Sequence, residues 1–177
     1  MAPEYAFLTR WRVVGTAEEV AEILGDATSL ARWWPSVYLD VKELAPGDPT
    51  TRTGRVIDLY TKGWLPYTLR WKFTVTESNP PHGFKLRAEG DFEGTGVWTI
   101  RQDGEYVEAI YDWRIAATKP LLRYGSFVLR PIFAANHRWA MARGLESIEL
   151  ELRRRRARTP AEREAVPPPP GPTFQSH

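Results

Sequence analysis

The chain has 177 residues, eight of them tryptophan and none cysteine, with 24 basic and 22 acidic side chains. That length suits one domain with a substantial core, and the lack of cysteine excludes disulfides, thiolate nucleophiles and cysteine metal sites and fits a reducing compartment. From Arg153 onward six arginines meet only Glu162 and Glu164, so the net charge of +2 hides a slightly acidic body without the basic stripe of a nucleic-acid binder.

In chain order, Tyr5, Phe7, Thr9, Trp11 and Val13 alternate with Arg10 and Arg12, the period-two pattern of a half-buried strand. Thr16 and Glu19 form a capping box that opens a short helix with Val20, Ile23 and Leu24 on its buried side, stopped by Gly25. A second short helix runs from about Ser29 to Trp34 and is limited by Pro35. Val37, Leu39 and Val41 then share one face of a strand, Pro46 to Pro49 makes a turn, and Gly54 to Thr61 forms the next strand. Along it Ile57 and Leu59 oppose Val56, Asp58 and Tyr60.

The clearest strand sets Tyr67, Leu69, Trp71, Phe73 and Val75 against Thr68, Arg70, Lys72 and Thr74. After the break at Asn79 to Gly83, alternation resumes through Phe84, Leu86 and Ala88, then in a strand with Trp98 and Ile100. Across an Asp103-Gly104 hairpin signal it continues in one with Tyr111 and Trp113. Asp112 and Arg114 fall on the wet side of that strand. Lys119-Pro120 ends the sheet, and Leu121 to Leu129 reads as a short helix or irregular bridge. A long helix follows from Pro131 to Arg153, with Ala134, His137, Met141, Leu145, Ile148 and Leu152 on one narrow stripe and Trp139 and Leu150 opposite. Residues 158–177 hold six of the fifteen prolines and no apolar periodicity, so a disordered or polyproline-like tail is expected after a single domain of residues 1–157.

This order resembles the helix-grip fold of the START-like, or SRPBCC, superfamily, and within it the polyketide cyclase/dehydrase and lipid-transport group. The likeness rests on Arg32-Trp-Trp-Pro35, on Leu65-Pro-Tyr-Thr-Leu-Arg-Trp71, on Gly90 to Trp98, and on Asn136-His137 with Met141, Gly144 and Leu145. It implies an α+β fold in which a seven-stranded curved antiparallel sheet, with two short helices after strand 1, grips the long C-terminal helix on its concave face, an apolar cavity lying between them. Carriers and cyclases share this scaffold, so the fold does not choose the chemistry.

Candidate cavity residues are Trp71, Phe73, Trp98, Tyr111, Trp113, His137, Met141, Gly144 and Leu145. His137 is the polar member of the helix stripe, either a proton-transfer or hydrogen-bonding group or a packed histidine that fixes the helix. Asp58 and Tyr60 are further catalytic candidates if their face turns inward. For Gly144 the readings are close approach to a ligand and close packing on the sheet. His82, His137 and His177 have no metal-ligand spacing, and no phosphate-cradling glycine loop occurs, so neither metal nor cofactor is expected.

The leading expectation is a protein that binds a small hydrophobic molecule, such as a lipid, isoprenoid or polyketide-like compound. The alternatives are a cofactor-independent cyclase/dehydrase using the same cavity, and a protein or membrane interaction module. Peripheral membrane contact would use Trp64, Leu65 or Arg153 to Arg156. Without a basic-then-apolar leader or an apolar run near the ~18 residues of a membrane span, a cytoplasmic location is expected.

Overall fold

A computed structural model describes residues 4–118 and 126–174. The alternation read from the sequence becomes seven strands: β1 (Glu4–Val14), β2 (Tyr38–Ala45), β3 (Val56–Lys62), β4 (Thr68–Asn79), β5 (Gly83–Gly90), β6 (Phe92–Asp103) and β7 (Tyr106–Ala117). They form one antiparallel curved sheet in the order β1-β7-β6-β5-β4-β3-β2. All neighbours but β1 and β7 are consecutive, so hairpin connections set most of the register. Between β1 and β2 lie α1 (Ala17–Gly25), a 3-10 turn (Ala27–Ser29) and α2 (Leu30–Trp33). The Thr16/Glu19 capping box forms on both sides, and Val20, Ile23 and Leu24 are buried as their spacing requires.

The long helix α3 (Ser126–Arg156) crosses the concave face. It begins earlier than expected, so Pro131 lies inside it; a proline deletes one main-chain bond and crowds the preceding turn, but neighbouring contacts can hold the helix through it. The bridge expected at Leu121 to Leu129 otherwise falls outside the described residues. Met141, Ile148 and Leu152 are buried, while Trp139 and Leu150 are half-buried. Glu151, beside this stripe, is also buried, and Arg32 donates to both its carboxylate oxygens at 2.8 and 3.0 Å.

Two of the four arginines that close α3 pair with carboxylates of the protein, and Arg154 donates to the Pro167 carbonyl at 3.0 Å. Arg156 pairs with Glu19 at 2.7 Å and donates to the Val14 carbonyl at 3.1 Å, while Arg155 lies 3.5 Å from both Glu22 and Asp26. This ties the C-terminal end of α3 to α1 and satisfies the negative end of the helix dipole.

Residues 158–174 depart from the disordered tail expected of their composition. Thr159 caps a further short helix, α4 (Pro160–Glu164), and Val166 is buried. The prolines beyond it lead to Thr173, which bonds Lys62 and donates to the Trp64 carbonyl at 3.0 Å. An extended proline segment needs no internal hydrogen bonds, so a few anchors at its ends suffice to hold it against the domain. No helix among the described residues is long and apolar enough to cross a membrane.

Candidate functional site

The inward faces of β4, β6 and β7 turn large buried rings toward α3. Trp71, Trp98, Tyr111 and Trp113 line a cavity of about 180 Å³ with Phe73 and, from the helix, Phe133, Asn136, His137, Ala140 and Met141. A water needs only ~10–15 Å³ of such space, so the cavity has room for a small organic molecule. Its walls are stacked: Trp98 lies 4.4 Å from Tyr111 at 14°, and Tyr111 lies 5.5 Å from Trp113 at 21°.

Seven residues named from the sequence therefore meet here, Trp71, Phe73, Trp98, Tyr111, Trp113, His137 and Met141. Gly144 and Leu145 do not line the cavity. A Cβ on Gly144 would stand 2.3 Å from the Trp34 ring and 2.7 Å from Trp11, so this glycine serves close packing. Leu145 packs at the edge of the main core one position further along.

Asp58 and Tyr60 also fall away from the cavity, because Ile57, Leu59 and Thr61 are the buried members of β3. Asp58 stands opposite Lys42 and Lys72 in the strand register, and Tyr60 lies under the Arg70 guanidinium at 4.3 Å. Both sit where charges can remain hydrated, which removes the expected inward pair.

Sequence reading missed Tyr38 because β2 is irregular. Tyr38 pairs with Thr61 and Asp40 with Tyr60, so the register shift between them skips Leu39. Cross-strand partners share a face, which puts Tyr38 inward beside Thr61 and keeps Val41 inward beside Leu59. Simple alternation from Val37 through Leu39 to Val41 could not reveal this. Tyr5, Phe7 and Tyr67 were readable as inward positions, but only tertiary packing selects them as cavity wall, and Phe92 lay before the expected start of its strand. Trp34 lay in a quoted motif without an assigned side.

The cavity is nearly free of charge. Its described lining has no aspartate or glutamate, and its one lysine, Lys62, bonds the Gly63 carbonyl at 3.0 Å and the Thr173 hydroxyl. Burial lowers the Lys62 pKa. His137 stacks on Phe7 at 4.3 Å and 17°, and burial drives its pKa down to about 4, so its ring is neutral at pH 7. Its Nε2 is buried without a hydrogen-bond partner, as are Tyr5 Oη and Trp34 Nε1. Burial likewise raises the phenol pKa of Tyr38 and Tyr111, and that of Tyr67 to about 12. These rings are neutral hydrogen-bonding groups in an apolar chamber.

No family profile and no curated protein sequence matches the chain. In three dimensions it is similar to the ZhuI aromatase/cyclase of a Streptomyces species, with a TM-score of 0.70 at 18% identity over 88% of this chain and 98% of that one. This is the helix-grip fold. The di-domain ARO/CYC protein BexL is also similar, with a TM-score of 0.64 at 15% identity over 88% of this chain and 51% of that one, so the present chain spans about half its length. Norcoclaurine synthase from Thalictrum flavum, solved in complex with dopamine and hydroxybenzaldehyde, has a TM-score of 0.59 at 15% identity over 85% of this chain and 88% of that one. Such identities speak for a shared scaffold, and the chemistry has to be argued from the cavity itself.

Proposed function

We propose that this helix-grip domain binds a small hydrophobic molecule in the cavity between sheet and α3. The observation that carries the reading is the unfilled aromatic chamber. Well-packed interiors leave few voids larger than a water, so an opening of about 180 Å³ is a place for a ligand. Lipid, isoprenoid and polyketide-like molecules all suit an apolar wall. The flat, stacked rings favour a planar molecule, and the small aromatic compounds in the norcoclaurine synthase complex agree with that preference.

A second reading, a cyclase/dehydrase-type enzyme, draws on the neutral imidazole of His137 at the chamber wall. With Nε2 buried, the other ring nitrogen, Nδ1, would be the one to take a proton from a carbon next to a carbonyl, and the chamber can fold a flexible chain so that positioning supplies much of the rate.

Native mass spectrometry of the full chain tests the binding reading. The expected result is a co-purified small molecule, or a one-to-one adduct with added 1-anilinonaphthalene-8-sulfonate. A protein that shows neither, and whose tryptophan emission ignores the probe, contradicts it. In His137→Ala, retained binding with lost turnover would favour the enzyme, and unchanged turnover would remove it.

A further inference from the structure

The cavity wall carries a feature that apolar binding does not use. Tyr38, Trp34, Trp11, Trp98 and Tyr111 form a chain of ring contacts, with successive centroids 5.2, 5.4, 5.1 and 4.4 Å apart. Tyr38 and Tyr111 are the two ends of that chain. Both tyrosines line the cavity, and no described residue hydrogen-bonds either hydroxyl. Neither oxygen belongs to the sealed, unpartnered set that includes Tyr5, Trp34 and His137, so both face the open space. Gly96 keeps one of them clear, because a Cβ there would stand 2.8 Å from the Tyr111 oxygen.

Two neutral phenols lining one apolar space are a pair of donors without an acceptor. A cation beside them would suit a carboxylate or phosphate, but the one lysine of the described lining, Lys62, is held by the Gly63 carbonyl and the Thr173 hydroxyl. Uncharged donors match an uncharged or delocalised acceptor, and a carbonyl oxygen has two lone pairs in one plane for them.

We propose that Tyr38 and Tyr111 form a two-donor site that holds the carbonyl oxygen of a planar ketone or quinone-like ligand in the cavity. This rests on the binding reading above and narrows it, because a hydrocarbon isoprenoid or plain acyl tail would leave both hydroxyls unpaired. In the enzymatic version the same donors would stabilise the oxygen of an enolate formed when a proton leaves the adjacent carbon.

The test compares 1-tetralone with tetralin, which share a bicyclic frame and differ by the ketone, using calorimetric titration of the full chain and its variants. A net hydrogen bond of ~0.5–1.5 kcal/mol corresponds to roughly 2- to 10-fold in affinity. Wild type is expected to prefer tetralone by about that factor, with Tyr38→Phe and Tyr111→Phe each reducing the preference. The double variant should reverse it, because the ketone would lose water without a replacement donor. The infrared carbonyl stretch of bound tetralone should fall in wild type and return upward in the double variant. Since each hydroxyl has no partner in the protein, the variants should keep the wild-type melting temperature. Equal affinity for the two compounds, or a preference and carbonyl frequency unchanged in the double variant, would overturn the two-donor site while leaving apolar binding intact. Failure of both compounds to bind would overturn the cavity reading and this proposal with it.

Discussion

From Met141 to Leu152, α3 lies directly on the Trp11–Trp34 cluster and α1, so close that position 144 has no room for a Cβ. Trp11 even donates its indole N–H to the Met141 carbonyl at 3.1 Å. From Phe133 to Ala140 the same helix borders open space, and His137 leaves a buried nitrogen unpaired there. One element thus anchors the fold with its C-terminal half and roofs a cavity with its N-terminal half. The contrast teaches that the apolar stripe alone does not fix function: side-chain size and backbone approach decide where a helix packs and where it spans a gap.

The strongest challenge to this division is Gly144→Val. Two methyl groups forced against Trp34 and Trp11 should cost about 3 kcal/mol, read as a lower urea midpoint at unchanged slope. A near-neutral result would mean that the anchored half is looser than drawn.

A somewhat smaller effect is expected from acid. The His137 pKa is about 4 in the folded protein against an ordinary 6.5, so the unfolded chain takes up the proton first. The stabilisation from keeping the ring neutral is complete above pH 6.5 and is lost as pH falls toward 4, about 2 kcal/mol of it by pH 5. His137→Phe preserves the stack on Phe7 and should flatten the stability profile between pH 6.5 and 5. Glu19, whose pKa is lowered chiefly by its bond from Arg156, contributes only at lower pH, where its carboxylate titrates. A slope identical in wild type and variant would place His137 outside the buried wall.

Phe133→Ala sharpens the comparison from the open side. The ring is half-buried and makes edge contacts with Tyr5 and Tyr67, so its loss should cost about 1 kcal/mol, well below the ~3–5 of a fully packed phenylalanine. Ligand affinity should change more than stability. A loss as large as that of Gly144→Val would show that the open half is also structural.

Strand faces, the capping box and the helix stripe were legible because each follows from local periodicity and one or two hydrogen bonds. The aromatic wall of Trp71, Trp98, Tyr111 and Trp113 was legible for the same reason. Tyr38 was not, since a register shift in β2 has no signature in alternation. Gly144 was ambiguous in sequence because close packing and ligand approach both ask for a missing side chain; only the position of Trp34 separates them. Asp58 turned outward with its face, and the proline-rich end was drawn onto the domain by Val166 and Thr173, contacts too distant in sequence to anticipate.

The N-terminal half of α3 borders the cavity while the C-terminal half is packed tightly on the tryptophans beneath it. Amide hydrogen exchange of the full chain, with and without saturating 1-tetralone, addresses this division directly. Residues from about 141 to 153 should be strongly protected in both samples, whereas those from about 132 to 140 should exchange faster in the free protein and slow when ligand is added. Uniform protection along the helix, unchanged by a ligand shown to bind, would contradict the account.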